Sequence, residues 1–154
     1  MTRREQREQS FILIFERIFN PDISIEELYN SGCDMEVISA DDFSLSLAKK
    51  AVECEGEIDN VFSPYLRNWT IARLPRVSLA IIRLAVCEML YFNDIPASVS
   101  INEAVELGKK YAVKRDTSFI NAILGSVASS LQKNVAEREQ LSQEETSAVK
   151  EEEQ

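Results

Sequence analysis

Histidine is absent from the 154-residue chain, glycine and proline are held to four each, and there are three cysteines. Without histidine, Ser-His-Asp and Cys-His catalysis are excluded, and the commonest general acid-base group and metal ligand go with them. The four glycines, Gly32, Gly56, Gly108 and Gly125, are scattered and build neither a phosphate-binding loop nor a dinucleotide fingerprint. Cys33, Cys54 and Cys87 form no CxxC pair, so they read as isolated thiols in a reducing compartment. Glu103 and Glu106 stand at helical spacing, but Glu103 is better explained as a capping partner of Ser100 than as a metal ligand. These absences predict a protein that is not an enzyme and that carries no metal or cofactor.

Long apolar runs are missing as well. Met1 to Ser10 is polar and mixed in charge, without a signal-peptide core. Arg76 to Phe92 is apolar almost all round, but it is shorter than the ~20 residues a membrane span needs and carries Arg83 and Glu88. It is expected at the centre of a helical bundle instead. Arg83 and Glu88 point well apart around such a helix, so each needs a partner elsewhere. The expected location is the cytoplasm, with no membrane contact.

Charge is plentiful but uneven. The chain has 26 acidic and 17 basic residues, for a formal net charge of -9, and 45% of its residues are hydrophobic. Seven acids against two bases fall between Asn134 and Gln154, a stretch with no aromatic residue. Such a segment cannot bury enough surface to offset its ordering entropy. The expected division is one folded domain over 1–133 and a disordered acidic tail over 134–154, which would discourage nonspecific nucleic-acid contacts by like-charge repulsion.

Strand signals are nearly absent, whereas three S/T-x-x-E patterns mark helix starts: Thr2 with Glu5, Ser24 with Glu27 and Ser100 with Glu103. Further helices are expected at about 39–55, 57–66, 76–92 and 116–133, with Asp41 and Asp42 as no more than a charged first turn. Six to seven helices with short connections predict an all-α fold, a compact bundle.

Two basic clusters stand out against the acidic balance. Arg3, Arg4 and Arg7 lie on the first turns of the first helix, at spacings that put the guanidinium groups on one face. Lys109, Lys110, Lys114 and Arg115 supply four bases within seven residues, with Tyr111 among them and Phe119 just beyond. Solvated helix ends would account for either cluster by composition alone. Cations mixed with rings also suit single-stranded RNA, because the cations meet phosphate while the rings stack on bases. RNA binding requires the fold to bring the clusters together.

RREQRE running into FILIF, IDNVFSPYLRNW (58–69), RLPRVSLAIIRLAVCEML (73–90), IPASVSINEAVELGKKY (95–111) and FINAIL (119–124), in this order and spacing, resemble the NusB family of bacterial transcription antitermination factors. The resemblance covers residues 3–131 and implies a non-enzymatic, all-helical protein of two subdomains. It implies pairing with the small-subunit ribosomal protein NusE, binding of the pair to boxA RNA in ribosomal RNA leader transcripts, and action within the RNA polymerase antitermination complex. Carried over by position, RNA binding falls on Arg3, Arg4, Arg7 and on Lys109, Lys110, Tyr111, Lys114, Arg115, Phe119 and Asn121. The NusE-facing candidates are Phe15 and Glu88, although Phe15 also reads as core and Glu88 as a carboxylate satisfied inside the bundle.

Three positions depart from the family pattern: Cys87 where tyrosine is frequent, Ala122 where glycine is usual, and Arg115 where an acidic residue occurs. Some family members self-associate and others do not, so a homodimer stays open. Two other readings also stand: a targeting domain of the kind fused to ribosomal RNA cytosine methyltransferases, and a helical interaction module that binds no RNA.

Overall fold

The computed structural model describes residues 1–152, with side chains through Ala148. Seven α-helices account for most of the described chain: α1 (Arg3–Phe19), α2 (Ile25–Asp34), α3 (Asp42–Glu53), α4 (Glu55–Phe62), α5 (Arg76–Tyr91), α6 (Ala97–Tyr111) and α7 (Lys114–Glu152). Two short 3-10 turns, Ser63–Tyr65 and Ile71–Arg73, carry the chain from α4 to α5.

The helix starts follow local chemistry. Thr2 and Glu5 form the full reciprocal box, the Thr2 hydroxyl accepting from the Glu5 N–H and the Glu5 carboxylate from the Thr2 N–H. Ser24 caps α2 through the Glu27 N–H. Asp41 does more than charge a first turn. It caps α3 by accepting from the Ser44 N–H and also takes a hydrogen bond from Gln6 of α1. The third box does not form. Pro96, with φ fixed near the helical value, opens α6 at Ala97, so Ser100 is already inside the helix and its buried hydroxyl has no partner.

α5 is the hub. It packs against α1, α3, α4, α6 and α7, and every residue from Ser78 to Glu88 is buried. Around it the chain divides into α1–α3, mutually packed, and α4–α7. Both charges of α5 find partners on other helices. Arg83 makes a two-pronged contact with Asp59, each bond 2.9 Å, and reaches Glu55 at 2.8 Å; Glu88 meets Arg7 of α1. Cys87 is buried beside the Leu47 carbonyl, and desolvation pushes its thiol up to about 12, while Cys33 and Cys54 are half-buried and free.

Where composition predicts a disordered tail from Asn134, α7 instead continues as helix through Glu152; residues 153 and 154 lie outside the described residues. Side chains from Gln132 to Ala148 are exposed, so the segment joins no core. Its residues are nonetheless good helix formers, with no glycine or proline after Gly125 to stop the ladder. Poor burial forbids a packed structure, not a solvated helix.

Candidate nucleic-acid interface

The three arginines of α1 go three ways. Arg3 lies over the Phe43 ring, 3.6 Å from its centroid. Arg4 is exposed and grips Glu103 of α6 with two bonds, Nε to Oε2 at 3.0 Å and Nη2 to Oε1 at 3.1 Å. Arg7 turns inward and is 5% exposed, its Nε donating to Glu88 Oε1 at 2.7 Å. Helical spacing put Arg7 on the face of Arg3 and Arg4, but tertiary packing gives it to the core. Arg7 therefore leaves the exposed cationic set, and Glu88, 1% exposed, is no surface for a partner. Burial pushes the Glu88 carboxyl up, against the pull of the Arg7 guanidinium.

The second cluster sits where α6 ends and α7 begins. Gly108 lets the two helices meet, since a Cβ there would lie 3.0 Å from Thr117 Oγ1 and 3.2 Å from its Cγ2. That approach sets the position of Lys109, Lys110 and Tyr111 on α6 relative to the exposed Lys114 and Arg115 on α7. Lys110 reaches Glu8 of α1 at 2.5 Å, and the Tyr111 hydroxyl donates to the same carboxylate. Lys109 pairs within its own helix with Glu106, at 3.2 Å. Hydrogen bonds from Lys110 and then Tyr111 hold the Glu8 carboxyl below its ordinary range. Burial and the bond to Glu8 raise the Tyr111 hydroxyl, which stays protonated and donating.

The two clusters therefore meet. Arg4, Glu8, Glu103, Glu106, Lys109 and Lys110 line the rim of one open cavity of about 360 Å³ between α1 and α6, with the buried Arg7 and Leu107 at its base. The carboxylates that pre-position these cations, Glu8 and Glu103, carry no site signal in the sequence: Glu8 reads as part of a mixed-charge helix end, and Glu103 as a cap. Only the Glu106–Lys109 pair has a local signature, its i, i+3 spacing.

Aromatic residues extend from the same place. Tyr111, Phe11, Phe15 and Phe19 form a ladder with successive centroids 4.9, 6.0 and 5.1 Å apart. Phe11 is buried, Phe15 half-buried and Phe19 exposed, so the ladder emerges at the far end of α1. On α7, Phe119 is half-buried and Asn121 is exposed; two residues apart, they take different faces of the helix. Among the described residues no cluster of potential metal ligands occurs and no helix is long and apolar enough to cross a membrane.

The folded part of the chain is similar to known proteins. The model of the NusB family matches residues 4–129. The transcription antitermination protein NusB of Natranaerobius thermophilus is 36% identical over 137 residues, spanning 86% of this chain and 99% of the relative. That of Bacillus subtilis is 35% identical over 134 residues, 87% of this chain and 100% of the relative. Among solved structures, NusB of T. maritima superposes with a TM-score of 0.71 at 30% identity, covering 84% of this chain and 92% of that one. A crystal structure of antitermination factors NusB and NusE with double-stranded RNA shares the fold, with a TM-score of 0.73 at 24% identity over 84% of this chain and 99% of that one. A match over the whole globular part, with relatives covered almost end to end, makes this chain a member of the NusB family.

Proposed function

We propose that the chain is a non-catalytic transcription antitermination factor that binds boxA-type RNA of ribosomal RNA leader transcripts together with NusE, within the RNA polymerase antitermination complex. The observation that carries this reading is the union of two cationic segments, some hundred residues apart in sequence, around one cavity of a protein whose net charge is -9. The relatives matched nearly end to end are antitermination proteins, and the NusB fold has been crystallised with NusE and RNA. Both facts favour this reading over a methyltransferase-targeting domain.

Arg4, Lys109, Lys110, Lys114 and Arg115 are the phosphate contacts, and Tyr111 and Phe119 the rings for bases. Exposed ion pairs contribute little to stability, so RNA phosphate can displace Glu8, Glu103 and Glu106 from their cations. The emerging end of the aromatic ladder, the half-buried Phe15 and the exposed Phe19, is the protein-facing surface. Arg7 and Glu88 support the site from beneath.

The test is a gel shift with boxA RNA, with and without NusE. We expect a complex whose affinity falls with salt at a log-log slope of about -3.5, for five phosphate contacts. Arg4→Ala and Lys110→Ala should each reduce that slope by about 0.7, whereas Arg7→Met should leave it unchanged. Absence of any shift with both proteins present overturns the reading.

A further inference from the structure

The cationic track does not end at Phe119. The Phe119 ring lies 6.4 Å from that of Trp69, tilted by 58°, and the two border a groove of about 500 Å³ between the α4–α5 connection and α7. Trp69 is the single tryptophan of the chain and is 52% exposed. An indole left half in water forfeits burial that the fold could have used.

Backbone hydrogen bonds shape the turn that carries this ring. The Leu66 N–H donates to the Ser63 carbonyl and the Trp69 N–H to the Leu66 carbonyl, each at 3.1 Å. Between them Arg67 adopts a left-handed conformation with φ of 56°, which is costly for a long side chain. The groove lining includes Arg67, Asn68 and Tyr65 but no carboxylate, in a chain where acids outnumber bases 26 to 17. Lys114 and Arg115 lie one to one and a half helical turns before Phe119 on α7, so the groove continues the cationic path.

We propose that this groove is a nucleobase-binding subsite, in which an unpaired RNA base stacks on Trp69 against the Phe119 edge while Arg67 meets its phosphate. The proposal rests on the RNA-binding reading above and extends the RNA path from α6–α7 onto the α4–α5 connection. Stacking on an aromatic platform tolerates any base, so the subsite adds affinity and directs the strand without fixing its sequence.

Because the chain has one tryptophan, its emission reports the subsite in the unmodified full-length protein. Titration with single-stranded boxA RNA, in the presence of NusE, should quench Trp69 saturably at the midpoint seen with labelled RNA. Trp69→Ala should weaken RNA binding about 5- to 100-fold, and Trp69→Phe much less, with far-ultraviolet circular dichroism unchanged in both. RNA binding with Trp69 emission unmoved, or with Trp69→Ala as tight as the parent, overturns the subsite and leaves the RNA-binding reading standing. A response to NusE alone that RNA does not alter overturns it in favour of protein docking. Failure of labelled RNA to bind at all overturns both.

Discussion

Removing one member of the Arg7–Glu88 pair leaves the other charge buried and uncompensated. Arg7→Ala or Glu88→Ala should therefore cost about 3–5 kcal/mol in urea unfolding, whereas Arg7→Met combined with Glu88→Leu should recover most of that loss. A similar loss in both single variants but none in the double identifies the pair as structural, which matters because an Arg7 variant could otherwise be mistaken for a lost RNA contact. Glu8 behaves differently, being partly exposed and held below its ordinary value of 4.5 by Lys110 and Tyr111. A carboxyl lowered on folding contributes stability above its unfolded value, and the contribution is lost as pH falls through the folded one. Stability of Glu8→Gln should accordingly fall less steeply than that of the parent as pH drops below 4.5, measured by thermal melts at stepped pH. At this scale the sequence was legible where partners are neighbours, as for Thr2 and Glu5, and silent where they are not. Arg7 and Glu88 each stand out in the sequence, but 81 residues separate them and no periodicity joins them.

Helix boundaries show the same limit from the other side. α1 begins, and α5 begins and ends, within a residue of where capping and apolar pattern put them, because those signals act over one turn. α6 starts early because Pro96 outranks a loose serine–glutamate match, and α7 runs long because nothing stops it. The α6–α7 junction, which carries four of the five proposed phosphate contacts, depends on Gly108. Alanine is normally the better helix residue, but at Gly108 its Cβ meets Thr117, whose hydroxyl is tied to the Val113 carbonyl at 3.2 Å. Gly108→Ala should then destabilise by about 1–3 kcal/mol through overpacking. Gly125→Ala, with nothing within 4 Å of the new Cβ, should stabilise by up to about 1 kcal/mol. Opposite shifts in melting temperature for these two substitutions would separate close packing from helix propensity.

Across the whole molecule, α7 decides how charge is distributed. Its 39 residues span about 58 Å, and Asn134 already lies about 30 Å along the axis from Lys114. At physiological salt the screening length is about 8 Å, so the acidic segment cannot repel RNA from the basic end as the expected tail would. Truncation after Glu139, which keeps the turn of α7 that borders a separate groove with Met89 and Ile95, should leave RNA affinity unchanged in fluorescence anisotropy at ~0.15 M salt. A rise in nonspecific affinity would show that the segment folds back. A rod with lysine and arginine at one end and exposed glutamates at the other is a permanent electric dipole. In dilute salt, the field of a polyanion exerts a torque on such a molecule before contact and turns it basic end first. A protein of net charge -9 would then meet RNA in the productive orientation more often than its total charge allows, with the acidic end trailing.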